Sequence, residues 1–530
     1  MTGHFLRGFV FAVLGVWLFV GCGSSGDGDS TSPDDDDAID DDTGDDDAID
    51  DDADDDTWPP LPDDDGDDDS ATHEDPPRLR AVTGPAAHIA DDLGREVLLR
   101  GVNFNHLGDY FETDPTLPTV AELSDEDWDD VAALGHNVVR LVTTWSAWEP
   151  ERDAFDEDYL ARVRTAVDDA GERGLYVVID MHQDAWSKFV FTPAEEVCPP
   201  GTSHQRGWDG APEWATITDG EPTCTPGRRE ESPAVIRAWD HFYDNTDGIR
   251  DELVDLWATI ATEFAGDSRV AGYDLINEPG RGSDVLATYQ GLSQYYLDAE
   301  AAIRAAEQEA GTAGHILFFE PVVDGIPSAF VPRIDNAAWA VHQYMEIFNP
   351  LSLEFGFLLF DLVGRLYGAP LWYGEYNHFG GDAEADDWMR RFAALEDSYR
   401  HSGGAWWQWE QECGDPHNVM WPPTPGWIEQ QQAACGNARF PIRECLNRAY
   451  PRAAPGRLTR LEATPCDGDL LVEGTTDAPG VADLWMPSDI DTSPTVTGTG
   501  IGVVTPIRVD GGWRIDVEVS GEYAIRVRES

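Results

Sequence analysis

Eight short apolar runs, each ending on a polar or aromatic residue and most separated by amphipathic stretches, constrain this chain more than any other feature. In order they are Val97 to Asn103, Val138 to Val142, Tyr176 to His182, Val270 to Asn277, His315 to Glu320, Trp339 to Tyr344, Leu371 to Tyr376 and Gly404 to Trp409. Strands this continuously apolar are buried on both faces, which calls for a parallel sheet with helices packed outside it. Helical spacing recurs at Asp125 to Leu134, Asp158 to Glu172, Asp251 to Phe264 and Leu286 to Glu309. Eight such units close into an α/β fold of the (β/α)8 type, the TIM barrel, over residues 78–452. In such barrels the chemistry sits at the C-terminal ends of the strands, where this chain places its polar residues.

Texture changes on both sides of that segment. Gly8 to Gly21 is unbroken and apolar, too short to span a bilayer comfortably, and is followed by Cys22, so 1–22 reads as an export signal. Gly21 before Cys22 resembles a bacterial lipoprotein signal, which implies a lipidated Cys22 anchoring the protein to a membrane at the cell surface. Phe19 departs from the usual aliphatic residue, and plain secretion is the alternative. Residues 23–77 are an Asp-rich tether: Asp27 to Asp69 holds 24 aspartates, no Lys or Arg, and little to bury. After Pro455, short alternating runs at Leu470 to Glu473, Val481 to Trp485, Gly502 to Ile507, Trp513 to Val519 and Tyr523 to Val527 predict a small all-β sandwich over 455–530.

The formal charge of −69 repels phosphate backbones and argues against nucleic acid as a partner. Lys188 is the sole lysine; an Arg-biased acidic surface suits high salt, and a GC-rich genome produces the same bias. Removing Cys22 leaves six cysteines, an even number that in an exported chain suggests disulfides. Cys198 with Cys224 is the expected pair, since both lie in one Gly/Pro-rich excursion, Trp186 to Arg250. No cysteine or histidine spacing calls for a metal.

The chemistry gathers at Asn277-Glu278-Pro279 and Gly374-Glu375-Tyr376-Asn377, the ends of the fourth and seventh strands. Two carboxylates across a barrel mouth suit retaining glycoside hydrolysis, one protonating the leaving oxygen while the other attacks the anomeric carbon. Arg140 and Tyr344 are placed to hold the attacking carboxylate ionised, and Asn277 to reach the sugar 2-hydroxyl. No cofactor is needed for that chemistry.

From Gly101 to Glu410 the chain resembles glycoside hydrolase family 5, through GVN at 101–103, VVRL at 138–141, DMHQD at 180–184, NEP at 277–279, HQY at 342–344, GEYN at 374–377 and WWQW at 406–409. That resemblance implies Glu278 as acid/base and Glu375 as nucleophile. Arg140, Asp180, His182, Asn277, His342 and Tyr344 are implied as supporting and substrate-binding positions. An eighth-strand tryptophan is implied as the floor of the −1 subsite; Trp407 and Trp409 share a strand face, and family spacing favours Trp409. Trp406 alternates away, towards the core. DMHQD followed by Ala-Trp-Ser resembles the endoglycoceramidase branch, which implies release of intact oligosaccharide from ceramide. That branch carries a lysine soon after the first strand, whereas this chain reads Asn103-Phe104-Asn105-His106. The alternatives are a retaining endo-β-glucanase or mannanase, a glucosidase on other lipid glucosides such as steryl glucosides, and, from a different class, a catalytically silent sugar-binding surface protein. The greasy stretch Phe348 to Tyr367 is read as a helix covering the sheet, or as a lip for lipid chains.

Overall fold

The computed structural model describes residues 75–529 except 113, 324–333, 380–381, 411, 413, 418–444 and 465–467. The export stretch, Cys22 and the Asp-rich run lie outside the described residues, as do Cys413, Cys435 and Cys466.

The described chain opens with three short antiparallel strands, β1 (Leu79–Val82), β2 (His88–Asp91) and β3 (Arg95–Val97). The barrel follows as β4 (Leu99–Phe104), β5 (Val138–Thr144), β6 (Tyr176–His182), β7 (Val270–Asp274), β8 (Ile316–Phe319), β9 (Ala337–Gln343), β10 (Leu371–Tyr376) and β11 (Gly403–Trp406). Each strand runs parallel to the next, and β11 returns to β4 with Gly403 opposite Leu99, which closes the ring. These are the eight expected strands. Outside them lie α1 (Asp125–Ala133), α2 (Trp145–Trp148), α3 (Glu157–Glu172), α4 (Pro233–Tyr243), α5 (Ile249–Glu263), α6 (Val285–Ala310), α7 (Leu353–Tyr367) and α8 (Asp382–Tyr399). Local chemistry sets several helix starts. Ser124 and Asp127 form a reciprocal capping box on α1, while Asp156 and Asp284 cap α3 and α6 by accepting from Tyr159 and Ala287 N–H groups.

Helix α7 carries most of the greasy stretch and covers the sheet with one face. Leu353, Phe357 and Val363 face the barrel, whereas Phe355, Leu358 and Leu366 stay exposed on the outer side.

The C-terminal segment forms a separate antiparallel sheet with β12 (Tyr450–Pro455), β13 (Arg457–Ala463), β14 (Leu470–Pro487), β15 (Thr495–Val509) and β16 (Gly512–Arg528). Runs that read as separate strands are fused: β14 and β16 continue through a register shift between Thr476 and Gly480. The glycines there act as bulges that bend a strand rather than turns that end it. Both halves of the bent strands share one core, with Leu458, Leu470 and Val472 beside Leu484, Ile515 and Val517. Strands β1 to β3 join this sheet through Val97 opposite Ala453, so its edge comes from residues that precede the barrel. Three- and four-residue strands carry too little alternation to be read in advance.

The sheet is fastened beneath the barrel, away from the strand C-termini. The Tyr450 hydroxyl and Arg452 Nη1 both donate to the Gly135 carbonyl, at 2.8 and 3.0 Å, in the turn that leads into β5. Gly135 itself has φ +78°, and a Cβ there would meet the Trp485 ring at 2.1 Å, so only glycine fits the seam.

Candidate active site

Beneath the barrel mouth, the fully buried Arg140 of β5 organises the site. Its Nη1 reaches Glu375 Oε1 at 3.1 Å and Asn103 Oδ1 at 3.1 Å, and its Nε reaches Asp274 Oδ2 at 3.0 Å. Its Nη2 reaches Asp180 Oδ1 at 2.9 Å, Asn277 Oδ1 at 2.9 Å and Glu320 Oε1 at 3.3 Å. A guanidinium presents five donors in one fixed fork, which is why one residue can index five strands. One cation cannot balance so many carboxylates. Burial pushes Asp180 up to about 8, Glu320 up to about 7 and Asp274 up to about 6, against the pull of Arg140 and His342.

The two expected glutamates face one another above this hub. An oxygen of Glu278 and one of Glu375 lie within 4.8 Å, with His342 Nδ1 between them, nearer to Glu278 than to Glu375. The Tyr344 hydroxyl donates to Glu375 Oε2 at 2.8 Å, and His342 Nδ1 lies 2.8 Å from Glu278 Oε1. Burial pushes Glu375 up to about 7, although His342 and Arg140 favour its ionised form. Burial also acts on Glu278, but the hydrogen bond and charge of His342, with Arg229 behind them, outweigh it and hold that carboxyl down at about 2. These environments favour the proton on Glu375 and His342 over Glu278.

Glu278 has a left-handed backbone, φ +37°, unusual for a side chain with a Cβ. Its N–H donates to Glu320 Oε2 at 2.9 Å, and Gln183 Nε2 donates to the carbonyls of Asn277 and Glu278 at 2.7 and 2.8 Å. Those bonds over-determine the turn and aim the carboxyl across the mouth.

On the neighbouring strand β6, His182 Nδ1 lies 2.7 Å from Asp180 Oδ2. Burial pushes this imidazole well down, so it is neutral, with Nδ1–H donated to Asp180 and Nε2 left as an acceptor. The indole of Trp407 stacks on His182 with ring centroids 5.3 Å apart and planes 11° from parallel.

Arg140, Asp180, His182, Asn277, Glu278, His342, Tyr344 and Glu375 are thus brought together. Trp409 is not. Its indole N–H donates to Asp127 Oδ1 at 3.1 Å at the start of α1, and its ring packs near Phe104, outside the barrel. The reason is that β11 ends at Trp406, so strict alternation does not carry on to Trp409; Trp407 is the tryptophan that meets the site, and Trp406 is core.

Three further residues escape sequence reading. Glu320 appears there only as a polar strand end. Arg229 belongs to the excursion closed by the Cys198–Cys224 disulfide; its guanidinium pairs with Asp184, lies 3.6 Å from Glu278 Oε2 and covers the Trp208 ring at 4.4 Å. His417 sits between Asp184 Oδ2 at 2.6 Å and Asp415 Oδ1 at 3.0 Å, edge-on to Trp407. Burial opposes its charge, but Asp209 and Asp184 push it up to about 10. Both residues lie in irregular chain, where no periodicity announces them.

Among the described residues, His182–Asp209–His417, His106–Asp127–Glu410 and Glu278–His342–Glu375 each bring three ligand-type atoms within 4.8 Å. Both His417 nitrogens already face carboxylates, and His342 Nδ1 is committed to Glu278.

Residues 94–412 match the family model described as Cellulase (glycosyl hydrolase family 5). Over 229 residues the chain is 33% identical to Endoglycoceramidase I of Rhodococcus hoagii (strain 103S), covering 41% of this chain and 42% of that one. Over 415 residues it is 27% identical to the Endoglycoceramidase of Hydra vulgaris, covering 70% and 72%. Among solved structures, an endogalactoceramidase superposes with a TM-score of 0.76 and 40% identity, over 85% of this chain and 100% of that one.

Proposed function

The chain belongs to glycosyl hydrolase family 5, and on that footing we propose that it is a retaining β-glycosidase that releases the intact glycan from the ceramide of glycosphingolipids. The observation that carries this reading is the approach of Glu278 and Glu375 within 4.8 Å. Inverting enzymes hold the two groups roughly 6.5–9.5 Å apart to admit a water between carboxylate and sugar; retaining enzymes bring them to about 5–5.5 Å. Glu375, held by Arg140 and Tyr344, attacks the anomeric carbon as Glu278 protonates the ceramide oxygen. Water, deprotonated by Glu278, then attacks the glycosyl-enzyme from the same face. Asn277 and His182 bind sugar hydroxyls, and Trp407 forms the floor.

A lipid aglycone is supported by the rim. Behind the Tyr344 ring lie Phe348 and Phe379, with centroids 5.4 and 5.9 Å away, and Phe348 is 67% exposed. Leu358 on α7 is also exposed, at 54%. The proteins it resembles, named endoglycoceramidase and endogalactoceramidase, support the same class and leave glucose and galactose next to ceramide as the pair to compare. Export, with Cys22 lipidated and the Asp-rich tether holding the enzyme within reach of a membrane, completes the proposal; the sequence of residues 1–77 supports it.

The test incubates the full-length chain in detergent with fluorescent glycosphingolipids whose first sugar is glucose or galactose. Release of intact oligosaccharide that is lost in Glu375→Gln establishes the reading. Cleavage of cello- or manno-oligosaccharides or steryl glucosides with the glycosphingolipids untouched replaces the aglycone. Sugar binding without turnover from pH 4 to 8 leaves a lectin.

A further inference from the structure

We propose that Glu320 is a positioning residue which, through His342, keeps a proton in reserve for Glu278. The inference rests on Glu278 being the acid/base.

Both oxygens of Glu320 face the catalytic machinery. Oε2 accepts the Glu278 backbone N–H at 2.9 Å; Oε1 lies 3.1 Å from His342 Nε2 and 3.3 Å from Arg140 Nη2. The residue cannot drift, because Tyr296 brackets its main chain: the phenol donates to the Glu320 carbonyl at 2.8 Å and accepts its N–H at 3.1 Å. His342 stands between three carboxyls, with Nδ1 2.8 Å from Glu278 Oε1 and 3.4 Å from Glu375 Oε2, and Nε2 towards Glu320. Gly374 makes room for the ring, since a Cβ there would lie 3.0 Å from Nε2. The charged and titratable groups around this ring are Arg140 from β5, Asp180 from β6, Asp274 from β7, Glu278 beyond it, Glu320 beyond β8, Tyr344 on its own strand and Glu375 from β10.

The free site poses a difficulty that this arrangement resolves. Glu278 is ionised there, yet an alkoxide leaving group as basic as that of ceramide needs a proton from it. The only donor against its Oε1 among the described residues is His342 Nδ1–H. Burial opposes a charged imidazole, but Glu320, Glu375 and Glu278 together push it well up, so the ring carries that proton. When a sugar displaces water, the ionised Glu278 loses solvation and the proton moves. The Nδ1–H bond breaks, the Oε1–H bond forms, and imidazolium and carboxylate become imidazole and carboxylic acid. The proton then goes to the leaving oxygen; in the second half-reaction Glu278 takes one from water and, as product departs, returns it to the ring. Glu320 supplies, 3.1 Å from Nε2, the negative charge that loads the ring.

The experiment compares Glu320→Gln with the parent on a glycosphingolipid and on a 2,4-dinitrophenyl glycoside of the same sugar, whose leaving group needs no acid. The glycolipid rate is expected to fall about 10²-fold and the dinitrophenyl rate by no more than about threefold, the size of one general-acid contribution. The basic limb of kcat/KM for the glycolipid is expected to move about one pH unit to lower pH, because the ring has lost an anion that held its proton. Equal losses on both substrates with an unmoved limb make Glu320 merely structural and overturn the proposal. Should Glu320→Gln not fold by circular dichroism, His342→Gln serves: its amide can hydrogen-bond to Glu278 but hands over no proton, and the same substrate selectivity is expected. Glu278→Ala on the same pair, with azide added, separates the two levels. Selective loss with azide rescue there, but none in Glu320→Gln, sinks only the relay; no selectivity in Glu278→Ala sinks the acid/base reading and the relay with it.

Discussion

The Tyr344 hydroxyl donates to Glu375 at 2.8 Å while the same ring packs on Phe348 and Phe379, so the residue that holds the candidate nucleophile is also the inner end of the apolar rim. Nucleophile orientation and the apolar rim are joined in one side chain.

Tyr344→Phe keeps the rim and removes the hydrogen bond. The bond favours ionised Glu375, so its loss raises that carboxyl further above its already raised position, and activity is lost at higher pH as the nucleophile protonates. The acidic limb of kcat/KM moves up, and kcat falls about 10- to 100-fold, the worth of roughly 1.4–2.7 kcal/mol. A limb that moves down, or stays put, removes Tyr344 from this role.

Trp407 and Trp409 separate cleanly by assay. Trp407→Ala strips the platform over His182 and lowers kcat/KM on any glycoside by about 10²-fold even in the fraction that remains folded, while the lost buried ring also lowers the melting temperature. Trp409→Phe loses the bond to Asp127 and destabilises the chain by about 1 kcal/mol in urea, leaving kcat nearly intact. The reverse pattern would restore Trp409 to the subsite.

The buried carboxylates make stability depend on pH with an unusual sign. Asp274, Glu320 and Asp180 titrate at about 6, 7 and 8 in the fold, against about 4 in an unfolded chain. Between those limits the folded state binds more protons than the unfolded one, so unfolding free energy falls as pH rises. Glu278, held down at about 2, acts in the other direction but only below this window. Asp180→Asn is expected to reduce the downward slope between pH 5 and 8 by up to about 1.4 kcal/mol per pH unit, read from urea melts. An unchanged slope refutes a protonated Asp180.

The rim predicts a split between substrates. Phe348→Ser with Leu358→Ser leaves both glutamates and their partners untouched, so turnover of a soluble aryl glycoside stays within about twofold. Cleavage of glycosphingolipid in mixed micelles falls about tenfold, matching about 1.4 kcal/mol of lost apolar contact. Equal effects on both substrates would detach the rim from lipid recognition.

Much of the barrel was legible because each of its strands carries its own signal. A run such as Tyr176–His182, buried along its whole length, is apolar until its polar end, and both ends match the observed strand. Glu278 and Glu375 were legible because both lie at C-terminal strand ends, where barrel chemistry sits: Glu375 is the second-last residue of β10 and Glu278 lies four residues past β7. The lower sheet was less so: Leu470 to Glu473 and Val481 to Trp485 read as two strands, as do Trp513 to Val519 and Tyr523 to Val527, and only pairing with a neighbouring strand makes β14 and β16 continuous.

What the sequence by itself determined, then, is the order of eight parallel strands and the two glutamates at their ends, because residue period and burial are local properties of each segment. The tertiary structure alone decided that Trp407 rather than Trp409 stacks on His182, that Arg229 and His417 close over Asp184, and that Glu320 stands behind His342. Where a strand ends, side-chain direction no longer follows a period; it is set by hydrogen bonds to residues tens to hundreds of positions away, such as the Trp409 backbone N–H on the Asn103 carbonyl at 3.0 Å.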